Sequence, residues 1–146
     1  MAKDNLSGLM ISHHALIGML FTLLKEELKE KSQTAGSTFS EFTWEIKKHF
    51  FTEENAIFDY LPLKSMEIFK NMNHLRDEHL IMLNLLKNFS DNFPNITGEQ
   101  MEEFSNLLEN HREFEEQTLY PKLDKEMREE QRKEIISRIN EIPING

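Results

Sequence analysis

Two short segments carry the residue types that metal chemistry needs: His49-x-x-x-Glu53 and His111-x-x-x-Glu115. A spacing of four places imidazole and carboxylate on adjacent turns of one helical face. On a wheel of about 100° per residue, the first pair falls among Phe42, Ile46, Ala56 and Tyr60, and the second among Phe104, Leu107, Leu108 and Leu119. His79 lies at the centre of the face formed by Ile68, Met72, Leu75, Leu83 and Leu86. His13 is central to a stripe that includes Leu6, Leu9, Met10, Leu16, Ile17 and Leu20. Its neighbour His14 is rotated about 100° toward the edge of that stripe, and His74 lies well off its apolar face. Four histidines and two glutamates therefore point inward. Glu54 and Glu116, beside the inward glutamates, are expected at the rim or in water.

Two carboxylates and four imidazoles in an apolar core are costly unless their charge and polarity are compensated. A pair of divalent or trivalent metal ions does so, since carboxylates can bridge two ions and neutral imidazoles can complete each coordination shell. Six His and no Cys give a donor set without thiolate, compatible with iron and also with zinc or manganese. The absence of Cys excludes disulfide frameworks, thiolate zinc sites and Cys nucleophiles.

The elements that must position these groups are four amphipathic helices and a tail. The first runs from about Lys3 to Lys29. Thr38 with Glu41 reads as a capping box opening the second, which stops before Pro62. Ser65 caps the third, to about Phe89; Thr97 with Gln100 forms a second capping box, opening the fourth, which Pro121 ends. A charged tail helix from about Lys125 to Asn140 offers Ile135, Ile136, Ile139 and Ile142 as a thin apolar edge that packs back on the bundle. Short loops between long helices predict an all-α, up-down-up-down four-helix bundle. With a rise of about 1.5 Å per residue, the six inward residues share a band roughly 15 to 26 Å along its axis. There is also an internal echo. His49-Phe50-Phe51-Thr52-Glu53-Glu54 resembles His111-Arg112-Glu113-Phe114-Glu115-Glu116, and each copy is followed by an apolar residue, an aromatic and a nearby proline.

The 146 residues suit one domain over residues 1–146, with the bundle at about 3–122 and the tail helix at about 125–140. A composition of 38% hydrophobic and 29% charged residues fits a globular chain, and 5 Gly with 4 Pro argues against a turn-rich all-β fold. The net charge of −9 argues against nucleic acid or an anionic membrane as partner. No apolar run approaches the ~18 residues that span a bilayer, and the N-terminus lacks a basic stretch followed by an apolar one. A cytoplasmic location and a monomer or weak homodimer are expected.

In order and helix phase, His13, His49-x-x-x-Glu53, His79 and His111-x-x-x-Glu115 resemble the hemerythrin-like family, with its HHE cation-binding domain, over most of the chain. The His-x-x-x-Glu-Glu runs followed by Ile57-Phe58 and by Leu119-Tyr120-Pro121 are similar to that family's second and fourth helices. The resemblance implies a four-helix bundle around a non-haem diiron centre, two iron ions with an oxo or hydroxo bridge. Glu53 and Glu115 would bridge them, and His13, His49, His79 and His111 would be terminal ligands. Oxygen-carrying members have two His four residues apart on the third helix, where this chain has Leu75 before His79, and Asp at i+5 on the fourth, where it has Glu at i+4. The set is closer to bacterial hemerythrin-like and iron-centre-repair proteins, and His14, His74 or Tyr60 remains to supply a missing ligand. A ferritin-like site would need Glu three residues before His, which occurs nowhere here.

The implied function is binding of dioxygen, or of nitric oxide or peroxide, for sensing, storage or protection. The alternatives are a diiron enzyme or iron-centre-repair protein acting on peroxide or nitric oxide, or a metal-stabilised partner-binding module. No catalytic residue is assigned, and Tyr60 and His14 are candidates for handling protons. From wheel position, His13→Ala is expected to lower metal occupancy more than His14→Ala.

Overall fold

Helix α1 (Leu6–Lys29) begins where two side chains satisfy its free N–H groups. The Asn5 side chain accepts from the Gly8 N–H at 2.7 Å, and the Asp124 carboxylate accepts from Leu6 and Ser7 at 2.9 and 3.0 Å. Asp124 comes from the far end of the chain, so this cap is a tertiary contact. Asp124→Ala is expected to cost about 1–2 kcal/mol, read as a lower urea midpoint with an unchanged slope.

The computed structural model describes residues 5–59 and 66–140. Helix α2 (Ala35–Thr52) runs into a π-helical turn at Glu53–Phe58; α3 (Met66–Asn92) and α4 (Gly98–Phe114) follow. A second π-helical turn at Glu115–Leu119 leads into α5 (Tyr120–Glu126), and α6 (Glu129–Asn140) closes the described chain. The all-α helical bundle expected from the sequence is present among the described residues.

Two apolar clusters show how the helices alternate. One contains Leu6 and Met10 of α1, Ala56 and Ile57 after α2, Ile68 to Leu75 of α3, and Leu119 with Tyr120 after α4. The other contains Ile17 to Leu24 of α1, Phe39 to Phe50 of α2, Met82 to Phe89 of α3, and Met101 with Phe104 of α4. Each helix crosses between clusters in the opposite sense to its predecessor, the up-down-up-down topology. Each makes its crossing at a buried polar residue: His14, His49 with Glu53, His79, and His111 with Glu115. The band derived from helix rise is thus a layer between two greasy ends.

Several element boundaries differ from the sequence reading. Helix α2 starts at Ala35, and Thr38 is buried inside it rather than capping it. The preceding turn is held instead by the Ser32 hydroxyl, which accepts from the Thr34 N–H at 3.2 Å, and by the Thr34 hydroxyl, which donates to the buried Glu27 carboxylate. Pro121 does not end the fourth helix. The π turn resets the hydrogen-bond register, and Pro121 falls in the first turn of α5, where a missing N–H costs nothing. The Thr97–Gln100 capping box is present with both bonds, at 2.9 and 3.0 Å. Ile135 and Ile139 of α6 are buried against the bundle, as expected of the tail. Lys3, Tyr60, Pro62, Ser65 and Ile142 lie outside the described residues.

Helix α1 also corrects the expectation about membrane-spanning length. By length and composition it is apolar enough to cross a bilayer. No Asp, Glu, Lys or Arg occurs from Leu6 to Leu24, and Ile11, Met19 and Leu23 face outward while Met10, Ile17 and Phe21 pack inward.

Candidate metal centre

Each polar residue of the layer is delivered by a specific local feature. Glu53 and Glu115 are the first residues of the two π-helical turns, marked by i→i+5 bonds from Asp59 to Glu54 and from Tyr120 to Glu115. The wide turn shifts the helical phase by about one residue. After each glutamate the buried face is therefore continued by Ala56, Ile57 and Phe58 in one case and by Leu119 and Tyr120 in the other. Both carboxylates are fully buried, and His49, His79 and His111 are nearly so. The ring of Phe50 stacks on His79 at 3.9 Å between centroids, fixing its plane.

The donor atoms fall into two groups that share Glu115. Glu53, His79, His111 and Glu115 form one; His14, His49 and Glu115 form the other, with the atoms of each group within 4.8 Å of one another. In the first group His79 Nε2 lies 2.9 Å from Glu53 Oε1, and His111 Nε2 lies 3.3 Å from Glu115 Oε2. In the second, His14 Nε2 lies 3.0 Å from Glu115 Oε1 and 3.1 Å from His49 Nε2, and His49 Nε2 lies 3.5 Å from Glu53 Oε1. The Tyr120 hydroxyl donates to Glu53 Oε2.

The structure brings together five of the six residues expected from sequence: His49, Glu53, His79, His111 and Glu115. The first-helix residue is a correction. His14 enters the layer; His13 does not, being half-buried with its ring centroid 6.0 Å from that of His49. The inward stripe of α1 is Met10, His14, Ile17, Phe21 and Leu24, whereas Leu16, which drew the wheel toward His13, is 39% exposed. Burial, with His49 and Lys48 nearby, lowers His13 to a pKa of about 4. His74 is exposed and pairs with Glu78 at 3.3 Å.

Sequence reasoning missed a ring of carboxylates that hold the far nitrogens of the histidines and pass from helix to helix. Glu54, after α2, accepts from Nδ1 of His79 on α3 at 2.6 Å. Glu78 on α3 accepts from Nδ1 of His111 on α4 at 2.7 Å, and Glu116, after α4, accepts from Nδ1 of His14 on α1 at 2.6 Å. An Nδ1–H held in this way fixes the tautomer and aims the Nε2 lone pair at the centre. The cycle lacks its last link: Nδ1 of His49 is buried with no hydrogen-bond partner among the described residues. The place on α1 matching that of Glu78 beside His79, one residue before the buried histidine, holds His13.

Electrostatics show that the layer demands positive charge. Burial alone would keep His14 and His111 neutral, but the bonds and charge of Glu115, helped by Glu53, Glu116 and Glu78, outweigh it. His14 is raised and His111 is raised well above the ordinary 6.5. Burial also resists ionisation of Glu115, yet His111 and His14 hold it well below the ordinary carboxylate range. Burial, then the charges of Glu115 and Glu53, push Tyr120 well above its usual value, so it remains a donor.

Nε2 of His111 and Oε2 of Glu115 are buried and face each other at 3.3 Å, with no well-formed hydrogen bond to either among the described residues. Converging imidazole and carboxylate donors with such orphaned atoms fit metal ions. In the metal-free chain, protons must serve instead. Stability due to a raised histidine is fully present below pH 6.5 and is lost as pH rises through its folded value. Chelator-treated protein is therefore expected to unfold at lower urea at pH 8.5 than at pH 6.5.

Against known proteins, the family model for the hemerythrin HHE cation-binding domain matches residues 5–136. No curated protein and no solved structure matches the chain.

Proposed function

The chain belongs to the hemerythrin HHE cation-binding domain family, and from that premise we propose that it is a non-haem diiron protein that binds dioxygen, nitric oxide or peroxide. The observation that carries this reading is the pair of donor groups sharing Glu115 within one buried layer. Glu53, His79, His111 and Glu115 would hold one ion, and His14, His49 and Glu115 the other. Iron bound there would supply a redox-active Lewis acid.

The chain's own residues do the rest. Glu54, Glu78 and Glu116 hold three imidazoles in the ligating orientation. The two apolar clusters keep bulk water away from both ends. Tyr120 donates to Glu53 and keeps that carboxylate oriented.

Tyr120 also favours a second reading, an enzyme that turns over peroxide or nitric oxide, because a buried phenol one bond from Glu53 can hold a proton at the centre. The two readings separate in one experiment. Protein loaded anaerobically with ferrous iron is titrated with dioxygen or nitric oxide while its absorption spectrum is followed. A change that reverses on removing the gas supports binding, and continued consumption of the gas supports turnover. No spectral change with any of the ligands contradicts both.

A further inference from the structure

The two halves of the chain repeat one arrangement. His14 on α1 corresponds to His79 on α3, and His49-x-x-x-Glu53-Glu54 corresponds to His111-x-x-x-Glu115-Glu116. The bonds to Nδ1 repeat with them. Glu54 of the first half holds His79 of the second at 2.6 Å, and Glu116 of the second holds His14 of the first at 2.6 Å. Within the second half, Glu78 on α3 holds His111 on α4 at 2.7 Å. The matching bond within the first half would run from position 13 on α1 to His49 on α2. Position 13 is His13, and Nδ1 of His49 has no partner among the described residues.

Geometry puts residue 13 in that seat. The ring of His13 stands edge-on to that of His49, 6.0 Å between centroids and at 75°. A glutamate side chain is about as long as a histidine, so a carboxylate at position 13 comes within reach of His49. Lys48 is close enough to repel a charge on His13 and would offset the charge of that carboxylate.

We propose that residue 13 is the fourth seat of the carboxylate ring, and that His13 there withholds the acceptor from His49 and so weakens the metal position that His49 serves. A carboxylate on Nδ1–H aims the imidazole and strengthens Nε2 as a donor. Both imidazoles of the Glu53, His79, His111 and Glu115 group are held in this way. In the His14, His49 and Glu115 group only His14 is. The inference rests on the layer being a metal centre and adds what sets its two positions apart.

Zinc is the probe for the full chain, because it takes imidazole and carboxylate donors without redox chemistry. Competition against a chromogenic chelator is expected to show two zinc ions per chain, the weaker bound about tenfold more tightly in His13→Glu and the tighter unchanged. His13→Ala should match the wild type in both. In nitrogen–proton NMR of the zinc-loaded chain, the His49 Nδ1–H is expected to move downfield and exchange slowly with water in His13→Glu, and in neither the wild type nor His13→Ala. His13→Gln brings an acceptor without a buried charge, and should give the same signal with a smaller gain in affinity, so the test holds even where the charged variant does not fold. A His49 proton unmoved in both acceptor variants overturns the proposal and leaves the functional reading standing. So does a bonded proton with no gain in affinity. A wild-type chain that takes up neither zinc nor ferrous iron overturns the functional reading itself, and the proposed role of residue 13 with it.

Discussion

Glu115→Ala is expected to leave the protein with less than one metal ion per chain, with affinity reduced by more than about 100-fold. The size of the effect follows from position. Glu115 is the one residue common to both donor groups, and it is fully buried. Its loss removes the only carboxylate of the His14–His49 group and one of two from the other. It also leaves His14 and His111 without the anion that outweighs their burial. Removing an outer carboxylate alone typically costs 10–100-fold in metal affinity, so removing a direct donor to both positions should cost more. Elemental analysis after ferrous loading and gel filtration reads the result. Wild-type metal content in Glu115→Ala would show that the shared carboxylate is a packing residue.

His14→Ala is expected to lose the second position, leaving about half of the wild-type metal, while His13→Ala retains all of it. His14 touches His49 at 3.1 Å, Glu115 at 3.0 Å and Glu116 at 2.6 Å. Its removal also takes one partner from each of two carboxylates, Glu115 and Glu116, the first of them fully buried, and breaking a buried charged network from one side is the costly way to break it. His13 belongs to neither donor group. Circular dichroism of both variants separates metal loss from unfolding. Greater metal loss in His13→Ala than in His14→Ala would mean that α1 turns by one residue when metal binds.

The choice between these adjacent histidines shows how far the sequence reaches. Wheel phase and helix rise were enough to gather His49, Glu53, His79, His111 and Glu115 into one layer, because α2, α3 and α4 carry charged residues along their outer faces, even where Phe51, Leu80 or Ile81 is exposed. Helix α1 is apolar on both, with Leu16, Met19 and Leu23 exposed opposite Met10, Ile17 and Phe21. Periodicity cannot choose a face where both are greasy; packing against α2 and α5 does. The π-helical turns were hidden for a different reason. A constant 100° per residue has no term for an inserted residue, yet the echo of His-x-x-x-Glu-Glu marks both turns, and its second glutamate is the residue that locks an imidazole on another helix. Glu54 and Glu116 do sit at the rim, as their phase requires. Their role lies in reaching across to His79 and His14, a contact between helices that no single-helix pattern contains.

The account stands or falls on whether the buried layer holds two metal ions. Metal analysis of the wild-type chain, loaded with ferrous iron without oxygen and freed of excess by gel filtration, tests this most directly. Two ions per chain are predicted, falling below one in Glu115→Ala. Wild-type protein that retains no more iron than a Glu53→Ala, Glu115→Ala double variant would contradict the account and leave a polar core held together by protons.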